Sequence, residues 1–309
     1  MTSAVLLLIF NRPDATASVM ETLRSARPPR LYVAADGPRR SRDTDAERCD
    51  RAREVALSVD WPCTVETLFR DENLGCRRAV SEALSWFFAR EEQGIVLEDD
   101  IIADDTFFTW CEEMLERYRD DERVMLISGY QPQRNSRSGD HAFFSRYGTI
   151  WGWASWARAW WHYDRSLALV DDRKRARRAL YGALGSRIQA ADKLFLSRQA
   201  HRGSVDSWAY SWAFARTVNS GLALMPPRSL TTNIGFEMEA THTRSLRAGR
   251  RPGFRGASAG TPIAAPDFVC VDRSYDNAYF RRTRGWRIVL APVRWLYRTL
   301  RDSMPKRRR

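Results

Sequence analysis

The chain has 309 residues, enough to bury one large core or two closely joined ones, and its apolar and charged fractions of 44% and 28% are those of an ordinary globular protein. Fifty Lys and Arg against 38 Asp and Glu give a net charge of +12, which favours anionic partners (nucleotide-sugars, phosphates, nucleic acid or acidic lipid) without choosing among them. Five scattered cysteines form neither a disulfide framework nor a metal-binding spacing, and no segment approaches the ~20 apolar residues of a membrane span.

In chain order, Ala4–Phe10 reads as a first buried strand. It lacks the basic flank and small-residue cleavage site of a signal peptide. Pro13 then sits near the first position of a helix that runs to about Ser25. Leu31–Ala35 is strand two and ends in the turn Asp36-Gly37-Pro38. Arg39–Leu57 reads as loop then helix, Thr64–Phe69 as strand three, and Cys76–Arg90 as an amphipathic helix with Val80, Leu84, Phe87 and Phe88 inward. Ile95–Leu97 is strand four, Phe107–Arg119 a helix and Val124–Ser128 strand five. This alternation predicts an α/β fold with a mostly parallel, Rossmann-like central sheet flanked by helices. No G-x-G-x-x-G follows strand one and there is no Walker lysine loop, which lowers redox and P-loop chemistry.

Strand four ends abruptly in Glu98-Asp99-Asp100. In open α/β sheets, ligands bind beyond the carboxyl ends of the strands. Three adjacent carboxylates repel one another unless a cation or hydrogen-bond donors share the site, so a hard divalent ion bridging to phosphates is the natural partner. The structural alternative is helix capping, which suits Asp104 and Asp105 just ahead of the Phe107 helix. Asp36 also ends a strand on the same predicted edge, and Arg12 follows strand one there.

The second half is different in character. Gln131–His141 is a polar loop, followed by Trp151-Gly-Trp153 and a run of aromatic residues that reads either as core or as a sugar-stacking platform, with Trp153 and Trp208 as the platform candidates. Ala176–Ala200 reads as helical, and Asp206-Ser-Trp208 opens another helix, where the carboxylate is either a cap or functional. Leu222–Met225 is a short strand. Residues 245–266 read as a flexible loop or linker. Phe280–Arg309 holds eleven Lys and Arg against one acid, mixed with apolar residues. That pattern fits either an interfacial amphipathic segment or a packed terminal helix with a solvated tail.

These residues, in this order, resemble the GT-A-fold nucleotide-diphospho-sugar glycosyltransferases, and within them the N-acetylglucosaminyltransferase I class and its bacterial relatives. The anchors are Leu8-Ile-Phe-Asn-Arg12-Pro, Val33-Ala-Ala-Asp36-Gly37, Asn73-Leu-Gly75-Cys, Val96-Leu-Glu98-Asp99-Asp100, Trp151-Gly-Trp153, Asp206-Ser-Trp208 and Asn233-Ile-Gly235-Phe … Thr241-His242. The resemblance implies a GT-A domain over residues 1–244, with a nucleotide-sugar-binding half (1–130) and a helical, aromatic acceptor-side half (131–244). A linker (245–266) and a basic amphipathic extension (267–309) follow.

The resemblance also implies roles. Arg12 holds the nucleotide, Asp36 reads the uracil, Glu98 binds ribose, Asp99 lies in the base surroundings, and Asp100 coordinates Mn²⁺ (or Mg²⁺). Asp206 matches the catalytic base, although the acid that should follow it is absent. Thr241 occupies the place of a loop that closes over the diphosphate, and His242 is a second metal-ligand candidate. The expected activity is inverting transfer from a UDP-sugar to a glycan or lipid-linked acceptor. The expected location is the cytoplasm, peripheral to anionic membrane through residues 281–309, with no nucleic acid as partner. Two alternatives stand beside it. A sugar nucleotidyltransferase would need a Gly-rich basic loop after strand one, which Asn11-Arg-Pro-Asp does not supply. A non-catalytic basic scaffold of the same fold is the other.

Overall fold

The computed structural model describes residues 1–133, 141–235 and 263–285. Its contacts divide the chain into two units, Met1–Val271 and Asp272–Arg309.

The first unit begins with β1 (Ala4–Ile9), α1 (Pro13–Ala26), β2 (Arg30–Ala35), α2 (Asp45–Leu57), β3 (Thr64–Phe69), α3 (Cys76–Phe88) and β4 (Gln93–Glu98). Every residue of β1 is buried, as its unbroken apolar run requires, and each buried leucine contributes roughly 2 kcal/mol. The four strands pair in parallel in the order β3-β2-β1-β4. The chain therefore winds outward from β1 to β3 and then returns to the other side of β1. The crevice between the ends of β1 and β4 is the topological switch point, where ligands of such sheets bind.

After β4 come β5 (Ile101–Ala103), α4 (Asp105–Arg117), β6 (Val124–Ser128), β7 (Phe143–Ser145), β8 (Trp153–Trp156) and α5 (Ala157–Trp160). A short 3₁₀ turn at Ala168–Val170 leads to α6 (Arg173–Leu184), α7 (Arg187–His201), α8 (Trp208–Val218), β9 (Leu222–Met225) and β10 (Thr231–Asn233). The eight-stranded sheet runs β3-β2-β1-β4-β8-β6-β9-β7. β8 enters antiparallel between β4 and β6, β6 and β9 are parallel, and β7 closes the edge antiparallel. This is a mixed α/β architecture whose large, mostly parallel sheet is flanked by helices, as the strand–helix alternation predicts.

β8 was not legible as a strand, because a Trp-rich run carries no periodicity that separates strand from helix. The segment 176–200, expected to be helical, is two helices. Gly185 ends α6 in the left-handed conformation at φ 67°, and the Ser186 hydroxyl accepts the Gln189 N–H to start α7. At α4 the expected cap is present: the Asp104 carboxylate accepts the Phe107 N–H at 2.9 Å.

The main core lies on the face of the sheet covered by α1 and α4, with Leu7, Val33, Leu97, Phe107 and Trp156 among its members. A second cluster, built on Leu180, Leu194 and Phe214, joins α6, α7 and α8. Among the described residues no helix is long and apolar enough to cross a membrane. In the second unit, α9 (Arg273–Phe280) starts where the Asp272 carboxylate accepts the Tyr275 N–H, and one wider turn continues to Gly285. The expected linker at 245–266, apart from 263–266, and the basic tail from 286 onward lie outside the described residues.

Candidate functional site

The parallel register places Leu8 of β1 opposite Glu98 of β4, so the residues that follow each strand meet at the switch point. Arg12 leaves β1 through Asn11 and turns toward the acid triplet. Its Nη1 donates to Asp100 Oδ2 at 2.8 Å, and its Nη2 lies 3.3 Å from Asp99 Oδ1. The Phe10 N–H donates to Asp99 Oδ2 at 3.2 Å. From the far side, the Ile234 N–H donates to the Asp100 carbonyl at 2.9 Å, continuing the β5–β10 ribbon past Asn233.

Burial, then the neighbouring Asp100 and Asp99, push the Glu98 carboxyl well above the ordinary range, with Arg12 pulling against them. Asp99 is also raised, by burial foremost, and Arg12 opposes that shift. The Arg12 guanidinium loses from burial but gains more from Asp99 and Asp100, so it is raised. The rim is therefore a tight mixture of one cation and three crowded carboxylates. One oxygen in it, Asp100 Oδ1, is buried without a hydrogen-bond partner. An orphaned carboxylate oxygen among crowded acids fits a hard divalent cation, which takes oxygen ligands and, when bound with phosphates, needs only one or two carboxylates. Among the described residues no group of three or more His, Cys, Asp or Glu side chains is placed to hold a metal. Were such an ion bound at this rim, Asp100 would be the carboxylate among the described residues to hold it.

Asp36 serves the loop between β3 and α3. Its carboxylate accepts the N–H groups of Gly37 (3.0 Å), Leu74 (2.9 Å) and Gly75 (3.1 Å), and the Asn73 amide at 3.0 Å. Burial raises it against these donors. The loop so held delivers Gly75, at φ +79°, to the start of α3, where only a residue tolerant of the left-handed region fits.

Asp206 arrives at this same place from the second half of the chain. Its Oδ1 accepts the Arg77 N–H at 3.1 Å, and a Cβ on Gly75 would come within 2.8 Å of its Oδ2. Asp206 therefore caps α3 from 129 residues away and not its own helix, α8, where Ser207 stands at the cap position. The Cys76 thiol lies among the converging acids. Burial, then Glu98, Asp206 and Asp36, push it up to about 12. Glu98, Asp206 and Asp36 thus each act on the Cys76 thiol at the start of α3.

The proposed aromatic platform is not at the surface. Trp153 and Trp208 are 0% and 2% exposed, stack at 5.8 Å, and pack with Trp160 and Trp212. The indoles fill the space between β8 and α8, so of the two readings of this run, core is the one realised. Thr241 and His242 lie outside the described residues.

Two further residues support this rim in ways that no sequence pattern indicates. Asp45, 2% exposed at the start of α2, accepts the Asn11 amide at 2.8 Å and two donors of the Arg39 guanidinium. It thereby fixes the turn that presents Arg12. Nothing local in the sequence marks it, because the contact spans 34 residues. Gly235 is the other. A Cβ there would sit 2.2 Å from Asp100 Oδ2 and 3.0 Å from Arg12 Nη1, so the backbone presses directly on the ion pair. The Asn233-Ile-Gly235 motif drew attention to this glycine, but not to what it touches.

No family model matches the sequence, and no curated protein matches it. Solved structures do show similarity. HddC from Yersinia pseudotuberculosis shares 13% identity over 51% of this chain and 78% of its own, with a TM-score of 0.34. The UTP-bound UGPase from Acinetobacter baumannii shares 10% identity over 75% of this chain and 88% of its own, with a TM-score of 0.37. A putative glucose-1-phosphate thymidylyltransferase from Bacillus anthracis shares 10% over 80% and 98%, with a TM-score of 0.36. At these scores the similarities assign neither reaction nor substrate.

Proposed function

We propose that this chain is a glycosyltransferase that uses a nucleotide-diphospho-sugar, with inversion at the anomeric carbon. The observation that carries this reading is the meeting of Arg12, Asp99 and Asp100 at the switch point, with Asp100 Oδ1 buried and without a hydrogen-bond partner. A divalent ion bound by Asp100 would offset the charge that builds on a departing diphosphate. Arg12 adds a fixed cation beside the same phosphates. Glu98 and Asp99 belong to the nucleoside end of this reading. Asp36 holds the Leu74–Gly75 loop bordering it. Thr241 and His242 are assigned to the diphosphate and the metal on the resemblance alone.

Asp206 is the proposed general base. It takes the proton of the acceptor hydroxyl as that oxygen attacks the anomeric carbon. The new carbon–oxygen bond forms on the face opposite the leaving diphosphate, whose bond to the sugar breaks, so configuration inverts without a covalent intermediate. Its position supports the role: it is exposed, beside Gly75 and electrostatically close to Cys76, as is Glu98. Residues 281–309 are proposed to attach the enzyme loosely to anionic membrane, near a lipid-linked acceptor. Co-sedimentation with anionic vesicles should fall when they are removed.

The test is a thermal-shift panel of UDP, GDP, CMP, dTDP and UTP, with and without Mn²⁺, since binding to a native site stabilises by mass action. A Mn²⁺-dependent shift with a nucleoside diphosphate supports the reading and selects the donor to screen. Preference for UTP moves it to nucleotidyl transfer. No shift with any nucleotide removes the donor site. Asp206→Asn then separates chemistry from binding: transfer should fall at least 100-fold while nucleotide affinity holds. The asparagine oxygen can still accept the Arg77 N–H, so the α3 cap survives the change.

A further inference from the structure

Beside Asp206 lies an open pocket lined by Arg77, Arg78, Arg165 and Ser166 together with Asp206 itself. Three arginines and one exposed carboxylate thus line the same pocket, an excess of positive charge. Glu82 stands behind them, accepting from Arg78 Nε at 2.8 Å and Arg165 Nη1 at 3.1 Å, with Arg70 Nη2 at 3.3 Å. Four arginines therefore face two carboxylates. Arg77 makes no ion pair among the described residues. Its guanidinium donates instead to the Ala200 carbonyl at 2.6 Å and to the Arg165 carbonyl, and its Nε is buried without a partner. Those two carbonyl contacts fix the guanidinium at the Ala200 and Arg165 backbone, while the Arg77 backbone N–H holds the Asp206 carboxylate.

We propose that this pocket is the acceptor subsite and that it selects an acceptor carrying an anionic group, phosphate or carboxylate, close to the hydroxyl that reacts. The proposal rests on the assignment of Asp206 as base and adds the class of acceptor. An anion here meets Arg78 and Arg165, whose planar forks suit both phosphate and carboxylate oxygens. Arg77 supplies a further, rigidly held positive charge. The same anion keeps its sugar against Asp206, so one contact set provides selectivity and places the hydroxyl.

The experiment is calorimetric titration of the full chain, saturated with UDP and Mn²⁺, with three probes: glucose 6-phosphate, methyl glucuronide and methyl glucoside. The expected result is saturable binding of at least one anionic probe, at least tenfold tighter than methyl glucoside and weakened by salt. Which anionic probe binds more tightly tells phosphate from carboxylate. Arg165→Gln should weaken that probe about tenfold, the loss expected for a charged hydrogen bond, and leave UDP affinity unchanged. Arg165→Lys should restore part of the affinity, which a purely structural defect would not allow. Equal binding of charged and neutral probes, or an Arg165→Gln variant that binds the anion as well as the parent, overturns the proposal. UDP binding with no anionic probe bound overturns it alone. Anion binding by a chain that binds no nucleotide removes the acceptor role and the glycosyltransferase reading together.

Discussion

Arg12 Nη1 lies 2.8 Å from Asp100 Oδ2, while the other oxygen of that carboxylate is buried and unpaired. This arrangement leaves the ligand-free rim electrostatically unbalanced. Removing the cation and removing one of the acids should then act in opposite directions. Arg12→Ala strands Asp99 and Asp100, which are 4% and 13% exposed, and should cost about 3 kcal/mol in urea denaturation. Asp100→Ala relieves repulsion and should leave stability unchanged or slightly higher, yet abolish Mn²⁺-dependent nucleotide binding. An Asp100→Ala variant that keeps metal-dependent affinity by calorimetry refutes the metal assignment.

Gly235 tests the same pair by shape. Its would-be Cβ meets Asp100 Oδ2 at 2.2 Å, a separation no real contact adopts. Gly235→Ala should displace the Arg12–Asp100 pair and weaken Mn²⁺–nucleotide binding at least tenfold. Because the clash is with the ends of two side chains and not with backbone, the loss of stability should stay within about 2 kcal/mol. Unchanged affinity would mean that the pair is not where the nucleotide binds.

Asp45 carries a pH prediction. Its hydrogen bonds from Arg39 first, and then from Asn11, hold its carboxyl below the usual value despite burial. A depressed value in the folded state contributes stability above the unfolded value of about 3.9, and that contribution is lost as pH falls through the folded value. Asp45→Asn should therefore cost about 1–3 kcal/mol at pH 7, with the gap to the parent closing below pH 4. Urea midpoints at pH 7 and pH 3 decide it. An equal gap at both would show that the charge is not what holds the Asn11–Arg12 turn.

Arg216 offers a stability prediction away from the site. It is 3% exposed on α8, and burial lowers its pKa to about 10. Its Nε and Nη1 are buried without hydrogen-bond partners, and it makes no ion pair among the described residues. Its Cζ lies 5.8 Å over the Trp212 ring, a contact that offsets only part of the cost of burying a charge, so Arg216→Met, similar in length, should raise stability by about 1–2 kcal/mol. A lower urea midpoint instead would show that methionine cannot replace what the guanidinium contributes.

The sheet was readable where the chain advertises it. β1, β2, β4 and β6 are short apolar runs between helical segments, and burial on both faces demands that composition. β8 was not, since its place between β4 and β6 depends on pairing Gln93 with Trp156 and Ile127 with Ala154. Trp153 and Trp208 illustrate the same difficulty at the level of side chains. An indole suits a core and a sugar equally well, and only its 0% or 2% exposure distinguishes them.

By itself, the sequence determined the α/β class, the strand ends that carry Arg12, Asp36 and the acid triplet, and the basic balance that invites an anion. Those features are local: strand period, turn residues and charge are written within a few positions of one another. Only the tertiary structure decided that Asp206 caps α3 beside Gly75, that Asp45 braces the Arg12 turn, and that Arg77, Arg78 and Arg165 line one pocket with the proposed base. Each of these joins residues distant in sequence. The packing that brings them together is a property of the whole core, and no local pattern encodes it.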